Sequence, residues 1–174
     1  MNALFYIVET LLSLTVFVFL LRLLLQLARA DFRNQLAQAV VKITNPLVLP
    51  LRRILPPVGK LDTASAVAVL LVAFVEEALL LVLSGTFTID PFYLSRAVVL
   101  RVIIILVYTY LYAIILYALL SFVAPGNYSP MSSLLTSLCE PVLRPFRRII
   151  PPIGGLDLSP LWACILLGAL VRLL

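Results

Sequence analysis

Four long apolar stretches constrain this chain more than any other feature of its sequence. They cover residues 4–28, 63–83, 97–124 and 158–174. About 20 apolar residues in a helix cross the roughly 30 Å hydrocarbon core of a bilayer. Charged residues make up only 12% of the chain, against about 25% in soluble domains. The sequence therefore predicts an all-α membrane protein with four transmembrane helices.

The first stretch needs to be distinguished from a signal peptide, because Ala28-Arg29-Ala30 has the small-x-small pattern of a cleavage site. Residues 1–9 contain no Lys or Arg. The apolar run is also longer than the ~7–15 residues of a signal peptide core. We expect a retained transmembrane helix.

The two long connections between apolar stretches contain amphipathic segments. In residues 31–45, apolar side chains recur at helical spacing among polar ones, and residues 129–140 repeat this pattern after a Ser129-Pro130 start. Both segments are too short and too polar to span a bilayer. Each is expected to form a helix in the membrane interface.

Basic residues are concentrated in these two connections, and this bias predicts the topology. The turn at residues 84–96 holds only Arg96. Because loops rich in Lys and Arg stay in the cytoplasm, the long connections are predicted to be cytoplasmic and both termini to lie outside. The long connections hold nine basic residues: Arg29, Arg33, Lys42, Arg52, Arg53, Lys60, Arg144, Arg147 and Arg148.

The composition argues against several classes of function. The chain has no histidine, and Cys139 and Cys164 have no metal-ligand spacing. No nucleophile motif or phosphate-binding loop is present. The net charge of +5 is confined to loops beside apolar runs, which does not suit nucleic-acid binding. We expect a protein that is not an enzyme, with no cofactor, no metal and no catalytic residues.

The chain contains an internal repeat at a shift of 95 residues. Residues 46–62 align with residues 141–157, with ten of the 17 positions identical. The aligned segments divide the chain into repeats at 1–95 and 96–174. Each is predicted to be a parallel hairpin repeat, with an interfacial amphipathic helix and a Pro/Arg-rich loop. The recurring motif positions are Pro46, Pro50, Pro56, Pro57, Gly59 and Asp62, and Pro141, Pro145, Pro151, Pro152, Gly154 and Asp157.

Over nearly its whole length, and through this doubled motif, the chain resembles the YggT family of bacterial and plastid membrane proteins. The resemblance implies a multi-pass protein of the bacterial inner membrane without an assigned reaction, in which the two outer termini are periplasmic. It also implies a link to cell division or nucleoid distribution, to cytochrome assembly in plastids, or to osmotic stress and ion homeostasis.

The motif residues have separate structural expectations. Proline lacks a backbone donor and stops a helix, so the segment from Pro46 to Pro57 is predicted to be extended or tightly turned. Gly59 and Gly154 permit a turn. Asp62 and Asp157 are placed to cap the next helix.

The arginine pairs of the motif have two interpretations. They either anchor the loops on lipid phosphates or form one basic patch that docks a partner protein or binds anionic headgroups. The four residues are Arg52, Arg53, Arg147 and Arg148.

Charged residues inside the spans form the second candidate site. Each costs about 2.5–3.5 kcal/mol at the centre of a helix, so each is expected to find a partner. Glu77 is expected opposite Arg172, and Glu76 toward Arg101 or a neighbouring subunit, while Arg22 is expected to snorkel to the interface. The network is interpreted either as structural or as a proton or cation site. Its members are Glu9, Glu76, Glu77, Arg101 and Arg172.

Two functions remain open at this point. The first is a scaffold or assembly factor for the cell envelope, division or a membrane complex, with the doubled motif as its docking surface. The alternative is a small ion-handling or osmotic-tolerance protein that uses the intramembrane charges. The expected partners are the lipid bilayer with its anionic headgroups, and a membrane protein or further copies of this chain.

Overall fold

A computed structural model describes residues 3–59, 61–85, 90–123, 129–149 and 157–174. Within these residues the chain forms helices and short connections, with one isolated pairing between Val58 and Leu61. The helices are α1 (Ala3–Leu27), α2 (Gln35–Ile54), α3 (Thr63–Leu83), α4 (Pro91–Val123), α5 (Pro130–Ile149) and α6 (Ser159–Leu173).

Three of these helices are long and apolar enough to cross a membrane. They are α1, α3 and α4, with 25, 21 and 33 residues. The fourth expected span corresponds to α6, which is apolar but has only 15 residues. At about 1.5 Å per residue, that helix is shorter than the hydrocarbon core of a typical bilayer. The membrane character of the chain is thus evident, and the count of four spans stays a prediction.

The candidate spans expose large apolar side chains on their outer surfaces. Leu70 and Phe74 of α3 are each 48% exposed, and Leu11 of α1 is 60% exposed. Contiguous exposed apolar surface of this kind is expensive in water and favourable in lipid. The surface is therefore suited to contact with hydrocarbon.

The amphipathic helices continue further than the sequence predicted. We expected the prolines to end α2, but Pro46 and Pro50 lie inside it, and Pro141 and Pro145 lie inside α5. The prediction of an extended segment was wrong there. All four prolines are exposed, and residues four apart share one helix face. The backbone hydrogen bonds that these prolines cannot form therefore lie on the outer face of each helix. Water or lipid headgroups can donate to the free carbonyl oxygens there.

Helices α2 and α5 correspond closely in length and position. Each has 20 residues, and their bounds differ by the 95-residue shift of the sequence alignment. In each, the arginine pair occupies the last turn. Positive charge there is favourable at the negative end of the helix dipole.

The turn after α2 agrees with the prediction for its glycine. Gly59 has φ +62°, a left-handed conformation that glycine adopts at little cost. Val58 and Leu61 exchange backbone hydrogen bonds of 3.2 and 3.1 Å around it. The second copy of the motif cannot be compared in full, because Pro151, Pro152 and Gly154 lie outside the described residues.

The chain divides into two compact units. The first comprises Met1–Leu23 and Val40–Leu106, and the second comprises Leu24–Ala39 and Val107–Leu174. The core of the first unit is an apolar cluster from α1, α3 and α4, namely Val16, Ala73, Leu94 and Val98. Fully buried side chains of the second unit include Ile114, Leu143 and Cys139.

Candidate functional site

Three helices of the first unit bring charged side chains together inside the apolar region. Nη2 of Arg101 on α4 lies 2.9 Å from Oε1 of Glu76 on α3 and 3.2 Å from Oε1 of Glu9 on α1. Nε of Arg101 lies 3.8 Å from Oε1 of Glu77. Ser13 joins the group, since its hydroxyl lies 2.8 Å from Nη2 of Arg101. We call these five residues the intramembrane charge cluster.

Helical spacing explains how each side chain reaches the cluster. Glu9 and Ser13 are four residues apart, so they share one face of α1. Glu76 and Glu77 are adjacent, about 100° apart around α3. Glu76 consequently points into the unit with 1% of its side chain exposed, while Glu77 stays at the margin with 18% exposed.

Glu76 has two oxygen atoms in different environments. Its Oε1 accepts hydrogen bonds from Ser13 Oγ at 2.7 Å and from Nε and Nη2 of Arg101 at 3.2 and 2.9 Å. Its Oε2 is buried and has no hydrogen-bond partner among the described residues. A buried polar atom without a partner is rare in folded proteins and calls for a physical explanation.

The cluster has an excess of negative charge. Three carboxylates against one guanidinium leave a formal charge of −2 when all four groups are ionised. Glu76 lies seven residues before the end of α3, a depth of about 10 Å at the rise of an α-helix. Uncompensated charge at such depth is costly because the surroundings have a low dielectric constant. The arrangement therefore favours uptake of positive charge.

Arg101 is the partner of the membrane carboxylates within the first unit. Arg172 belongs to the second unit, where it is exposed and forms no ion pair with the described residues of that unit. The expected pairing of Glu77 with Arg172 joins two different units and stays a prediction. The pairing of Glu76 with Arg101 is present in the structure, and the side chain of Glu9 joins it.

A second polar group in the first unit contains the motif residues Arg52 and Asp62. Nε of Arg52 donates to Oδ2 of Asp62 at 3.1 Å, and Nη2 makes a further ion pair with the same atom. Ser65 Oγ also donates to Oδ2, at 2.7 Å. Burial opposes ionisation of Asp62, but the hydrogen bonds from Arg52 and Ser65 outweigh it and lower the pKa of the carboxyl.

The second unit contains the equivalent pair with different neighbours. Nε of Arg147 lies 2.8 Å from Oδ2 of Asp157, and Nη1 lies 2.6 Å from Oε2 of Glu140. Nη2 donates to the hydroxyl of Tyr117 at 3.0 Å. Burial alone would lower the pKa of Arg147, but the bonds to Asp157 and Tyr117 raise it.

Asp157 also caps α6, as the sequence predicted. Its Oδ1 accepts a hydrogen bond from the backbone N–H of Ser159 at 2.9 Å. Burial acts against ionisation, but the bonds from Ser159 and Arg147 lower the pKa of Asp157. Asp62 directly precedes α3, and the side chains of Arg52 and Ser65 bind its carboxylate.

The motif arginines thus have two kinds of environment. Arg52 and Arg147 are each held by an aspartate of their own unit. Arg53 and Arg148 are exposed and form no ion pair with the described residues. Of the four arginines expected in a docking patch, only these two present unpaired charge.

Arg22 is the functional candidate that the sequence interpretation missed. It was expected to snorkel, but it is 3% exposed. Its Nη1 donates to Thr44 Oγ1 at 2.7 Å and to Asn45 Oδ1 at 3.0 Å. The sequence did contain a signal for this residue. The 95-residue shift aligns Arg22 with Tyr117 and Asn45 with Glu140, so the first repeat has an extra positive charge where the second has an extra negative one.

No group of three or more His, Cys, Asp or Glu side chains among the described residues is arranged to hold a metal ion. The three carboxylates of the charge cluster surround Arg101 instead of a common empty point. A guanidinium in that position repels a second cation. The cluster is therefore better suited to a proton than to a metal.

The comparisons with known proteins identify a family. The sequence model of the CCB3/YggT family matches residues 1–83 and 97–174. An uncharacterized protein of Pseudomonas aeruginosa, PA0392, is 42% identical over 164 residues, which cover 93% of this chain and 83% of that protein. The uncharacterized protein YggT of Escherichia coli K12 is 35% identical over 167 residues, covering 96% of this chain and 86% of that protein.

A plastid relative matches over a shorter region. The YlmG homolog protein 2 of Arabidopsis thaliana, described as chloroplastic, is 57% identical over 35 residues, or 20% of this chain and 14% of that protein. No solved structure matches this chain significantly.

Proposed function

We propose, for a chain that belongs to the CCB3/YggT family, that it is an ion-handling membrane protein whose intramembrane charge cluster reversibly binds a proton at Glu76. The proposal assigns the protein no chemical reaction. It rests on one observation. Glu76 is 1% exposed and shares a guanidinium, and one of its oxygens is buried without a partner among the described residues.

Protonation addresses both features of the site. A neutral carboxyl at Glu76 reduces the formal charge of the cluster from −2 to −1. Burying a neutral polar group without a partner costs about 1–3 kcal/mol, whereas a buried ion without a partner costs much more. The bare Oε2 atom is the natural position for that proton, because Oε1 already accepts three hydrogen bonds.

The remaining carboxylates provide a route for exchange. Glu77 and Glu9 have 18% and 29% of their side chains exposed, and both contact the guanidinium that also binds Glu76. Each of these two carboxylates can exchange a proton with its surroundings, and each is linked to Glu76 through the guanidinium of Arg101. Proton relays in membrane proteins are built from such intramembrane carboxylates.

The proposal includes the topology that the charge bias favours. The chain would have four transmembrane helices as two tandem parallel repeats, with α2 and α5 in the cytoplasmic interface of the inner membrane. Both termini would be periplasmic. The equal lengths of α2 and α5 and the recurring arginine–aspartate pairs support this arrangement. Glu9 and Arg101 then lie in the periplasmic half of the bilayer.

Infrared spectroscopy of the purified full chain in liposomes tests the proposal. A protonated carboxyl gives a C=O band that ionised carboxylates lack and that shifts in heavy water. We expect the wild type to show this band and Glu76→Gln to lose it. Glu140→Gln, the same substitution at a residue outside the cluster, should keep it. A wild type without a protonated carboxyl band would refute the proposal.

A flux measurement complements the spectroscopy. Proteoliposomes carrying an internal pH dye and an imposed potassium diffusion potential report proton entry directly. Ion handling at the cluster predicts faster entry with wild type than with Glu76→Gln, and no difference between wild type and Glu140→Gln. Equal rates in all three would leave the cluster with a structural role only.

A second candidate function is a scaffold or assembly factor, as the sequence suggested. It is favoured by the ends of α2 and α5, where an unpaired arginine precedes an exposed isoleucine. Ile54 is 77% exposed and Ile149 is 79% exposed, next to Arg53 and Arg148. Pull-down from native membranes distinguishes the candidates. Arg53→Gln with Arg148→Gln should release a bound partner if scaffolding is the function, while Glu76→Gln should not.

A further inference from the structure

The two units contain polar groups at equivalent positions but with opposite net charge. The first polar cluster consists of Arg22, Asn45, Arg52 and Asp62, and the 95-residue shift relates these to Tyr117, Glu140, Arg147 and Asp157. Two guanidinium groups against one carboxylate give the first cluster a formal charge of +1. One guanidinium against two carboxylates gives the second a formal charge of −1.

Arg22 is the source of the unbalanced positive charge. Its hydrogen bonds in the structure run from Nη1 to neutral oxygens of Val41, Thr44 and Asn45. Nε and Nη2 of Arg22 make no hydrogen bond with the described residues. The nearby Asp62 is already bound by Arg52 through two nitrogens. A guanidinium that is 3% exposed thus has no negative partner of its own among the residues that the structure describes.

The position of the cluster points to the headgroup layer of a membrane. Arg22 lies five residues before the end of α1, and Asp62 directly precedes α3. The cluster therefore lies at the ends of these two helices, with Arg22 about 8 Å from the end of α1. Helix α2, which supplies Asn45 and Arg52, connects the two at that same end.

We propose that the first polar cluster binds the phosphate of an anionic phospholipid through the unused donors of Arg22 and Arg52. Nη1 of Arg52 makes no hydrogen bond with the described residues either, so both arginines can donate to one anion. Arginine is well suited to phosphate because its planar donors match the spacing of phosphate oxygens.

A lipid fits the surroundings better than free phosphate does. Leu49 of α2 lies four residues after Asn45 and three before Arg52, so it shares their helix face, and it is 50% exposed. This side chain can contact an acyl chain while the arginines contact the headgroup. The second cluster should not bind such a lipid, because Glu140 occupies the position of Asn45 and already pairs with Arg147.

The substitution Asn45→Asp tests the assignment by copying the charge pattern of the second unit. A carboxylate 3.0 Å from Nη1 of Arg22, where the Asn45 oxygen lies now, would neutralise Arg22 internally. We expect this variant to be more stable than wild type in detergent without lipid. Its apparent affinity for phosphatidylglycerol should fall by about tenfold, the equivalent of about 1.4 kcal/mol.

The measurement is the thermal stability of the full chain in detergent with added phosphatidylglycerol, phosphatidylcholine or inorganic phosphate. Native mass spectrometry counts the bound lipid. Wild type should be stabilised by phosphatidylglycerol and not by the other two. Arg22→Gln should lose the response, whereas Arg148→Gln, the same charge change at an exposed arginine, should keep it.

Several outcomes would overturn the inference. Equal stabilisation by inorganic phosphate would make the cluster a general anion site instead of a lipid site. Equal stabilisation by phosphatidylcholine would show that the negative charge of the headgroup is not what the cluster binds. An unchanged response in Asn45→Asp would show that Arg22 does not bind the lipid, even if Arg22→Gln fails to fold. None of these results depends on proton binding at Glu76, so the two proposals can fail separately.

Discussion

Nη2 of Arg101 lies 2.9 Å from Oε1 of Glu76, and the second oxygen of that carboxylate is buried without a partner among the described residues. The two residues belong to α4 and α3, and the same guanidinium also reaches Glu9 on α1. One arginine thus connects three apolar helices of the first unit. Its removal is the most informative perturbation of the unit.

Arg101→Gln is expected to lower thermal stability more than any single glutamate substitution in the cluster. It leaves three carboxylates without a cation, and an uncompensated buried charge costs on the order of 3–5 kcal/mol. Adding Glu76→Gln to this variant should recover part of the loss, with a coupling of about 0.5–3 kcal/mol. Thermal denaturation of the two single variants and the double variant measures that coupling. Additive effects would mean that the two side chains do not interact.

Asp62→Asn is expected to weaken the first unit in a pH-dependent manner. The pKa of Asp62 is lowered in the folded protein, from an unfolded value of about 3.9. Its stabilisation is therefore fully present above that value and is lost as the pH falls through the lowered folded pKa. The difference in melting temperature between wild type and Asp62→Asn should be constant from pH 5 to 8, as about one pH unit above 3.9 suffices for ionisation. It should shrink below about pH 4. A difference that grows on acidification would contradict the ion pair with Arg52.

Arg147→Gln and Arg148→Gln should separate a paired arginine from an unpaired one. Arg147 contacts Asp157, Glu140 and Tyr117, and its loss should cost about 1–3 kcal/mol for a half-buried network. Arg148 is exposed, so its loss should stay within about 0.5 kcal/mol. Chemical denaturation in detergent compares the two variants at equal net charge. Similar losses for both would mean that position in the motif matters less than charge.

Cys139 is expected to resist alkylation in the folded protein. It is 0% exposed, and burial raises the pKa of its thiol to about 12. Only the thiolate reacts, so little is available at pH 8. In a Cys164→Ser background, maleimide labelling should occur only after unfolding. Rapid labelling of the native protein would show that α5 opens readily.

A reporter in the connection between α3 and α4 tests the proposed topology. That connection carries few basic residues, whereas the connections that contain α2 and α5 carry nine. A periplasmic reporter such as alkaline phosphatase should be active there and inactive after Arg53. Reporter activity after Arg53 and none between α3 and α4 would show that the topology is the inverse of the proposed one. It would also place Glu9 and Arg101 in the cytoplasmic half.

Local sequence patterns predicted the helices well where apolar residues form a continuous run within one helix. The apolar runs predicted α1 and α3 to within one residue at each end, since only a hydrogen-bonded helix can carry such a run through lipid. Family membership followed from the doubled proline and arginine motif. Proline misled the prediction for α2, because its effect depends on which face of the helix it occupies. Pro46 and Pro50 are tolerated on an exposed face.

The sequence by itself determined the apolar helices, their amphipathic connections and the presence of charged residues within the apolar helices. Only the tertiary structure decided which charges meet. Glu9 and Arg101 are separated by 92 positions, and Arg22 reaches Asn45 across 23. Helical periodicity specifies the face on which a side chain lies but not the helix that packs against it. The partners of Arg101 and the neutral hydrogen-bond acceptors of Arg22 therefore depend on how α1, α2, α3 and α4 pack within one unit.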